Sequence, residues 1–164
     1  MNLPQLFDEH HAPLFRFAYR MTGSVADAED IVQECFLQIL RPGNSYDPKR
    51  TPIRTYLFGV VRNQALKRRP ADASQEMQEP GYEWSPERQM LRTELEQVVA
   101  RAVAALPDGQ RETLILAHYE QLSLAEIGEV MEIEVTAVKS RLQRARAGLR
   151  ETLAAYVTSL EKRQ

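Results

Sequence analysis

The sequence predicts an all-α chain: two small helical bundles joined by a flexible linker, the C-terminal one containing a helix-turn-helix. Three observations predict it. Apolar residues recur at helical spacing along most of the chain, with no alternating strand pattern. The periodicity stops over residues 70–85, where Pro, Ala, Ser, Gln, Glu and Gly take over and an acidic, flexible linker is expected. Beyond it, a short helix opening at Ser123 leads through a brief turn into a strongly basic helix from Thr136 to Arg150. The expected units are thus residues 1–69, the linker 70–85, and residues 86–164. At 164 residues with 43% hydrophobic composition, each unit can bury a core, though a modest one.

The elements follow in order. Leu6, Leu14, Phe15, Ala18 and Tyr19 place one apolar stripe on a first helix that ends near Gly23. Ser24, with Asp27 three residues later, resembles an N-cap pair for a second helix. There Ile31, Val32, Cys35, Phe36, Ile39 and Leu40 form the buried face, opposite Asp30, Gln33, Glu34 and Gln38 with Leu37 among them. Pro42, Gly43, Asn44, Asp47 and Pro48 break the chain into a loop. A third helix runs from about Ile53 to Arg69, with Tyr56, Leu57, Val60, Val61 and Leu66 inward. Ser85-Pro86-Glu87 restarts a helix, and Leu95, Val98, Val99, Ala102, Val103 and Leu106 stripe it. Pro107-Asp108-Gly109 opens the next helix, expected to reach about Glu120. Ser123 with Glu126 is a capping box.

Net charge of −2 and a pI near 6.0 hide how the charge is arranged. Residues 41–70 hold eight basic side chains against Asp47 alone, while the segments on either side are acidic. The helix from Thr136 to Arg150 holds Lys139, Arg141, Arg144, Arg146 and Arg150 and no acid. Separated cationic surfaces of this kind point to a polyanion partner better than the net value does. No apolar run is long enough to span a membrane, and the acidic N-terminus lacks an apolar signal core. The single Cys35 rules out an internal disulfide and suits a reducing compartment. The expectation is therefore a cytoplasmic protein. His10, His11 and His118 lack metal-ligand spacing with one another or with Cys35. No phosphate-binding loop, glycine-rich nucleotide fingerprint or nucleophile elbow is present. No enzyme, cofactor or metal is expected.

With Val138 inward, Val135, Leu142, Ala145 and Leu149 share the core side of the basic helix. Thr136, Ser140, Gln143, Arg144 and Ala147 then face outward, flanked by Lys139, Arg141 and Arg146. Slim polar side chains between long cations suit base edges between phosphates; the same pattern also fits a solvated basic helix. Tyr46, Tyr56 and Phe58 lie among Lys49, Arg50, Arg54, Arg62 and Lys67. Rings beside cations suit single-stranded nucleic acid, although Tyr56 and Phe58 equally fit a core. Leu37 in its acidic frame reads either as plain surface or as a protein-docking site.

In order and spacing, these segments resemble the two domains of a bacterial extracytoplasmic-function (ECF) sigma factor of RNA polymerase. Ala28-Glu29-Asp30-Ile31-Val32-Gln33-Glu34 with Phe36-Leu37 resembles region 2.2. Tyr46-Asp47-Pro48, Ile53-Arg54-Thr55-Tyr56-Leu57 and Val60-Val61-Arg62-Asn63 resemble regions 2.3 and 2.4. Leu106-Pro107, Leu124-Ala125-Glu126-Ile127-Gly128 and Val138 to Arg146 resemble region 4. The resemblance implies that Asp30, Gln33, Glu34 and Leu37 dock on the beta-prime clamp helices of core RNA polymerase. It implies that Asn44, Tyr46, Lys49, Arg54, Tyr56, Arg62, Asn63 and Lys67 recognise and melt the −10 element of promoter DNA. Thr136, Lys139, Ser140, Arg141, Gln143 and Arg144 would read the −35 element, while another surface of region 4 meets the beta flap. Control by an anti-sigma factor is implied as well. The chain departs from the family pattern at Thr136-Ala137, where Gly-Thr is frequent, and at Tyr56, where Trp is frequent. Its turn also carries Glu132 and Glu134.

Overall fold

The computed structural model describes residues 2–68 and 94–163, and all regular structure among them is helical. Three helices form the first group: α1 (Leu3–Thr22), α2 (Val25–Leu40) and α3 (Ile53–Lys67). The second group holds α4 (Glu94–Ala104), α5 (Asp108–Leu114), α6 (Leu124–Met131) and α7 (Val135–Lys162). The expected linker 70–85 and the restart at Ser85-Pro86-Glu87 lie outside the described residues.

Local chemistry sets the helix ends. The Asn2 side chain caps α1 by accepting from the Gln5 N–H, and Gly23 closes it in the left-handed region at φ 71°. Ser24 caps α2 by accepting from the Asp27 N–H at 3.1 Å, the pair expected from the sequence. Ser123 and Glu126 exchange both capping-box hydrogen bonds at the start of α6. The first core gathers Leu14, Phe17, Ile31, Val32, Cys35, Leu57, Phe58 and Val61, with Phe17 and Phe58 edge to face at 5.6 Å. The second gathers Leu114, Ile115, Leu116, Ile127, Val130, Val138, Leu142 and Ala145.

The stripes fail only at helix ends. Leu40 is the last residue of α2, Leu66 the penultimate of α3, Leu95 the second of α4 and Val135 the first of α7. All four were expected inside, and all four are exposed. The periodicity is right, but at an end there is no facing helix left to cover the side chain.

One element differs in kind. The helix opening at Asp108 is α-helical only to Leu114 and then widens into a π turn, Ile115–Tyr119. The Glu120 N–H donates five residues back to the Ile115 carbonyl at 3.1 Å. Gln121 then takes the left-handed region at φ 56°, and the Leu122 N–H reaches the Leu116 carbonyl at 2.9 Å. A π turn inserts one residue and rotates everything after it, which fixes the direction of Glu120.

Helices α6 and α7 are joined by Glu132, Ile133 and Glu134 alone, the short turn of a helix-turn-helix. Glu132 sits at φ 56°, and the Ile133 N–H donates to the Gly128 carbonyl at 3.0 Å. A Cβ on Gly128 would stand 2.9 Å from the Ile133 carbonyl oxygen, a backbone atom that cannot swing away. Gly128→Ala should therefore destabilise the second group by about 1–3 kcal/mol in denaturant unfolding, the usual cost of overpacking. Cys35 is buried against α3, and its thiol is pushed up to about 12 by desolvation. It should resist iodoacetamide in the native chain and react at once in denaturant, which argues against a redox role.

Candidate nucleic-acid and polymerase interfaces

The basic helix presents the face that the sequence predicts. Val138, Leu142 and Ala145 are buried, while Thr136, Lys139, Gln143 and Arg144 are exposed and Ser140 is half-buried. Arg141 differs from its outward neighbours: its guanidinium lies against Gly109 at the start of α5, so close that a Cβ there would meet Nη1 at 2.9 Å. It braces α7 on α5 at the edge of the exposed face. Arg146 leans on His118, with its Nε 3.4 Å from His118 Nε2.

On α2, Gln33 and Leu37 are exposed, Leu37 at 52% of its surface. Asp30 and Glu34 hold surface ion pairs, Asp30 with Arg68 at 3.7 Å and Glu34 with Arg41 at 3.2 Å. Pairs this exposed contribute little and part readily when a partner arrives. The four residues form one accessible strip along α2.

The third set divides. Asn44 holds the loop after α2: its Nδ2 donates to the Ile39 and Arg41 carbonyls at 2.9 and 3.2 Å, and its Oδ1 accepts from the Tyr46 N–H at 3.0 Å. Its polar atoms are therefore committed to backbone, and its contribution is to shape the loop. Tyr46 and Tyr56 pair with ring centroids 5.0 Å apart, and the Tyr56 hydroxyl meets Ser45 Oγ at 3.0 Å. Lys49, Asn63 and Lys67 are exposed. Arg54 and Arg62 instead point into the second helical group.

There they meet acidic residues that sequence reasoning did not single out. Arg62 Nε donates to Glu112 Oε2 at 3.0 Å, with the two side chains only 16% and 5% exposed. Arg54 donates to the Glu120 backbone carbonyl. The Glu120 carboxylate, 2% exposed, receives Arg16 Nη2 at 3.4 Å and stands 3.8 Å from Arg20 Nη1, the latter too long for a hydrogen bond but close enough for charge attraction. The Arg20 guanidinium also lies 4.3 Å over the Tyr119 ring. Thr55 Oγ1 reaches Glu126 Oε2 at 3.4 Å. Helices α3 and α6 thus pack together, and the two groups form one body in which Arg16, Arg20, Arg54 and Arg62 face Glu112 and Glu120. Burial pushes the Glu120 carboxyl above the usual carboxylate range, against the pull of Arg16, Arg20 and Arg54. Glu126 is also pushed up by burial, but its Ser123 cap bonds, Arg54 and Thr55 together bring it below that range.

The only sequence signal for this junction is weak. Glu112 and Glu120 flank the apolar run Leu114-Ile115-Leu116-Ala117, where a buried acid needs something to compensate it. Among the described residues, no group of His, Cys, Asp and Glu has the arrangement of a metal site, and no helix is long and apolar enough to cross a membrane.

Comparison with known proteins agrees with this geometry. The family description Sigma-70 region 2 matches residues 6–73, and Sigma-70, region 4 matches residues 96–149. The ECF RNA polymerase sigma factor SigL of Mycobacterium tuberculosis is 34% identical over 153 residues, covering 90% of this chain and 86% of the relative. SigW of Bacillus subtilis, also an ECF RNA polymerase sigma factor, is 29% identical over 163 residues, covering 90% of this chain and 87% of the relative. Among solved structures, CnrH in complex with the cytosolic domain of CnrY superposes with a TM-score of 0.70 at 26% identity, covering 93% of this chain and 88% of that one. The sigma factor RpoE of Bartonella quintana, solved with the anti-sigma factor NepR, shares the fold at a TM-score of 0.68 and 24% identity, covering 92% of this chain and 96% of that one. Two sigma-70 domains in this order, with relatives of the same kind matched over most of their length, place the chain in the family of ECF RNA polymerase sigma factors.

Proposed function

We propose that this chain binds core RNA polymerase in the cytoplasm and directs it to a subset of promoters, with no covalent chemistry of its own. Residues 1–69 act as the region 2 domain and 86–164 as the region 4 domain, with 70–85 as the connector. Asp30, Gln33, Glu34 and Leu37 dock on the beta-prime clamp helices, and the region 4 domain also meets the beta flap. Tyr46, Lys49, Arg54, Tyr56, Arg62, Asn63 and Lys67 engage the −10 element as it opens, on a loop that Asn44 shapes. Extruding a base costs a few kcal/mol of stacking, which a ring and cation surface can offset. Thr136, Lys139, Ser140, Gln143 and Arg144 read the −35 element in the major groove, with Arg141 as a brace at the edge. An anti-sigma factor is the expected regulator, as the similar sigma factor RpoE was solved in complex with the anti-sigma factor NepR.

The observation supporting this most directly is the outward row Lys139, Gln143 and Arg144 on a helix fixed to α6 by a three-residue turn. Added to core polymerase, the purified chain should yield transcripts from some promoters of a genomic library; silence across the library would refute it. Arg144→Ala should weaken −35 binding by about 1–3 kcal/mol and relax preference at one base pair. Equal weakening on every sequence would make Arg144 a phosphate contact. Leu37 is exposed, so Leu37→Asp should leave the fold intact and abolish capture by core polymerase in a pull-down.

A further inference from the structure

Glycine inside a helix weakens it relative to alanine, because the backbone gives up more freedom and no side chain packs. Among the described residues, every glycine but one has a structural reason. Gly23 and Gly43 take left-handed φ values of 71° and 77°. A Cβ on Gly109 or Gly128 would stand 2.9 Å from Arg141 Nη1 or from the Ile133 carbonyl oxygen, and one on Gly148 would stand 3.2 Å from Leu106. Gly59 has neither reason. It lies in the middle of α3, and beyond its own helix and chain neighbours a Cβ there would meet no described atom within 4 Å. The packing of the chain therefore does not require this gap.

The neighbours of Gly59 on the helix surface are Tyr56 at i−3, Arg62 at i+3 and Asn63 at i+4. All three belong to the proposed −10 set. Gly59 and Tyr56 are half-buried, and Asn63 is exposed. Helix α3 carries Arg54, Arg62 and Lys67 and no acidic residue, unlike the strip on α2 proposed for polymerase. Charge thus favours a polyanion over a protein as the occupant of the gap.

We propose that Gly59 is the point at which an unpaired DNA strand crosses α3. The missing side chain lets the sugar–phosphate backbone lie directly on the helix, between the Tyr56 ring on one side and Arg62 and Asn63 on the other. A single methyl group would lift the strand by up to roughly 1.5 Å, one carbon–carbon bond. A gap of about 0.5–1 Å already forfeits a quarter to a half of a dispersion contact, so the stack of a base on Tyr56 would suffer. Helix stability is given up here for access, a common trade at binding surfaces. The inference rests on the reading of α3 as the strand-capturing surface, and adds to it a residue that acts through shape alone.

Gly59→Ala and Gly59→Leu test it, because each puts a good helix former into open space. Gly59→Ala should raise Tm by about 2–4 °C, and Gly59→Leu should melt no lower than wild type. Core polymerase should capture both variants in a pull-down as well as it captures wild type. The assembled complex is then given a labelled single-stranded DNA of random sequence, with core polymerase alone as the baseline. Gly59→Ala should bind this strand at least about fivefold more weakly, the low end for loss of one base–ring stack, and Gly59→Leu more weakly still. Strand binding equal to wild type in both variants would overturn the proposal. A lowered Tm for Gly59→Ala would also overturn it, since the fold would then need the gap, as would lost capture, since polymerase would then fill it. If wild type itself adds no strand binding to core polymerase, the reading of α3 as a nucleic-acid surface fails, and this inference falls with it.

Discussion

The arrangement of this molecule turns on one buried carboxylate. Glu120 is carried by the second helical group, yet its charge is met by Arg16 and Arg20 of the first, while its backbone carbonyl is held by Arg54. Taking a carboxylate out of water costs several kcal/mol, and nearby guanidinium groups return that only when their geometry is close. Here one approach is at 3.4 Å and another at 3.8 Å, and burial still leaves the carboxyl above its ordinary range. The charge is therefore incompletely compensated. Such a contact fixes which surfaces meet more than how strongly they hold.

The proposed reading gives that junction a directional consequence. The surfaces left outside are the polar strip on α2, the Tyr46–Tyr56 pair with Lys49, Asn63 and Lys67, and the cationic row on α7. The surfaces turned inside are the two α3 arginines. On that reading the proposed duplex and polymerase surfaces are accessible in this arrangement, while Arg54 and Arg62 are engaged by the second group.

Much of this was legible in the residues. The capping signals at Ser24 and Ser123 were realised as hydrogen bonds, and the core stripes were right except for Leu40, Leu66, Leu95 and Val135. Those four failed for one reason: periodicity reports which face a residue is on, not whether a neighbouring helix extends far enough to cover it. The outward face of α7 was legible because its polar and apolar residues separate cleanly at 3.6-residue spacing. The direction of Arg54 and Arg62 was not, since an exposed arginine and one paired across an interface look alike in a sequence. Their partners were hidden too, because the turn that aims Glu120 depends on a π insertion with no compositional mark. The hydrogen bonds of Asn44 to the loop backbone were not legible, because they depend on the path of the loop it ties together.

A junction this delicately balanced could still be well populated, because its halves belong to one chain. Joining two groups in one chain can raise their effective concentration to the millimolar range. An intrinsic affinity of about 0.1 mM, equivalent to ~5.5 kcal/mol, then suffices to keep roughly nine-tenths of the molecules closed. A few partly compensated ion pairs and the packing of α3 on α6 need supply no more than that. A partner that binds the two groups at separate places with micromolar affinity or better commands about 8 kcal/mol, which exceeds it. It can open the junction without any covalent signal, and the four arginines and two carboxylates released then return to water or to phosphate, so that little of their gross attraction opposes the change.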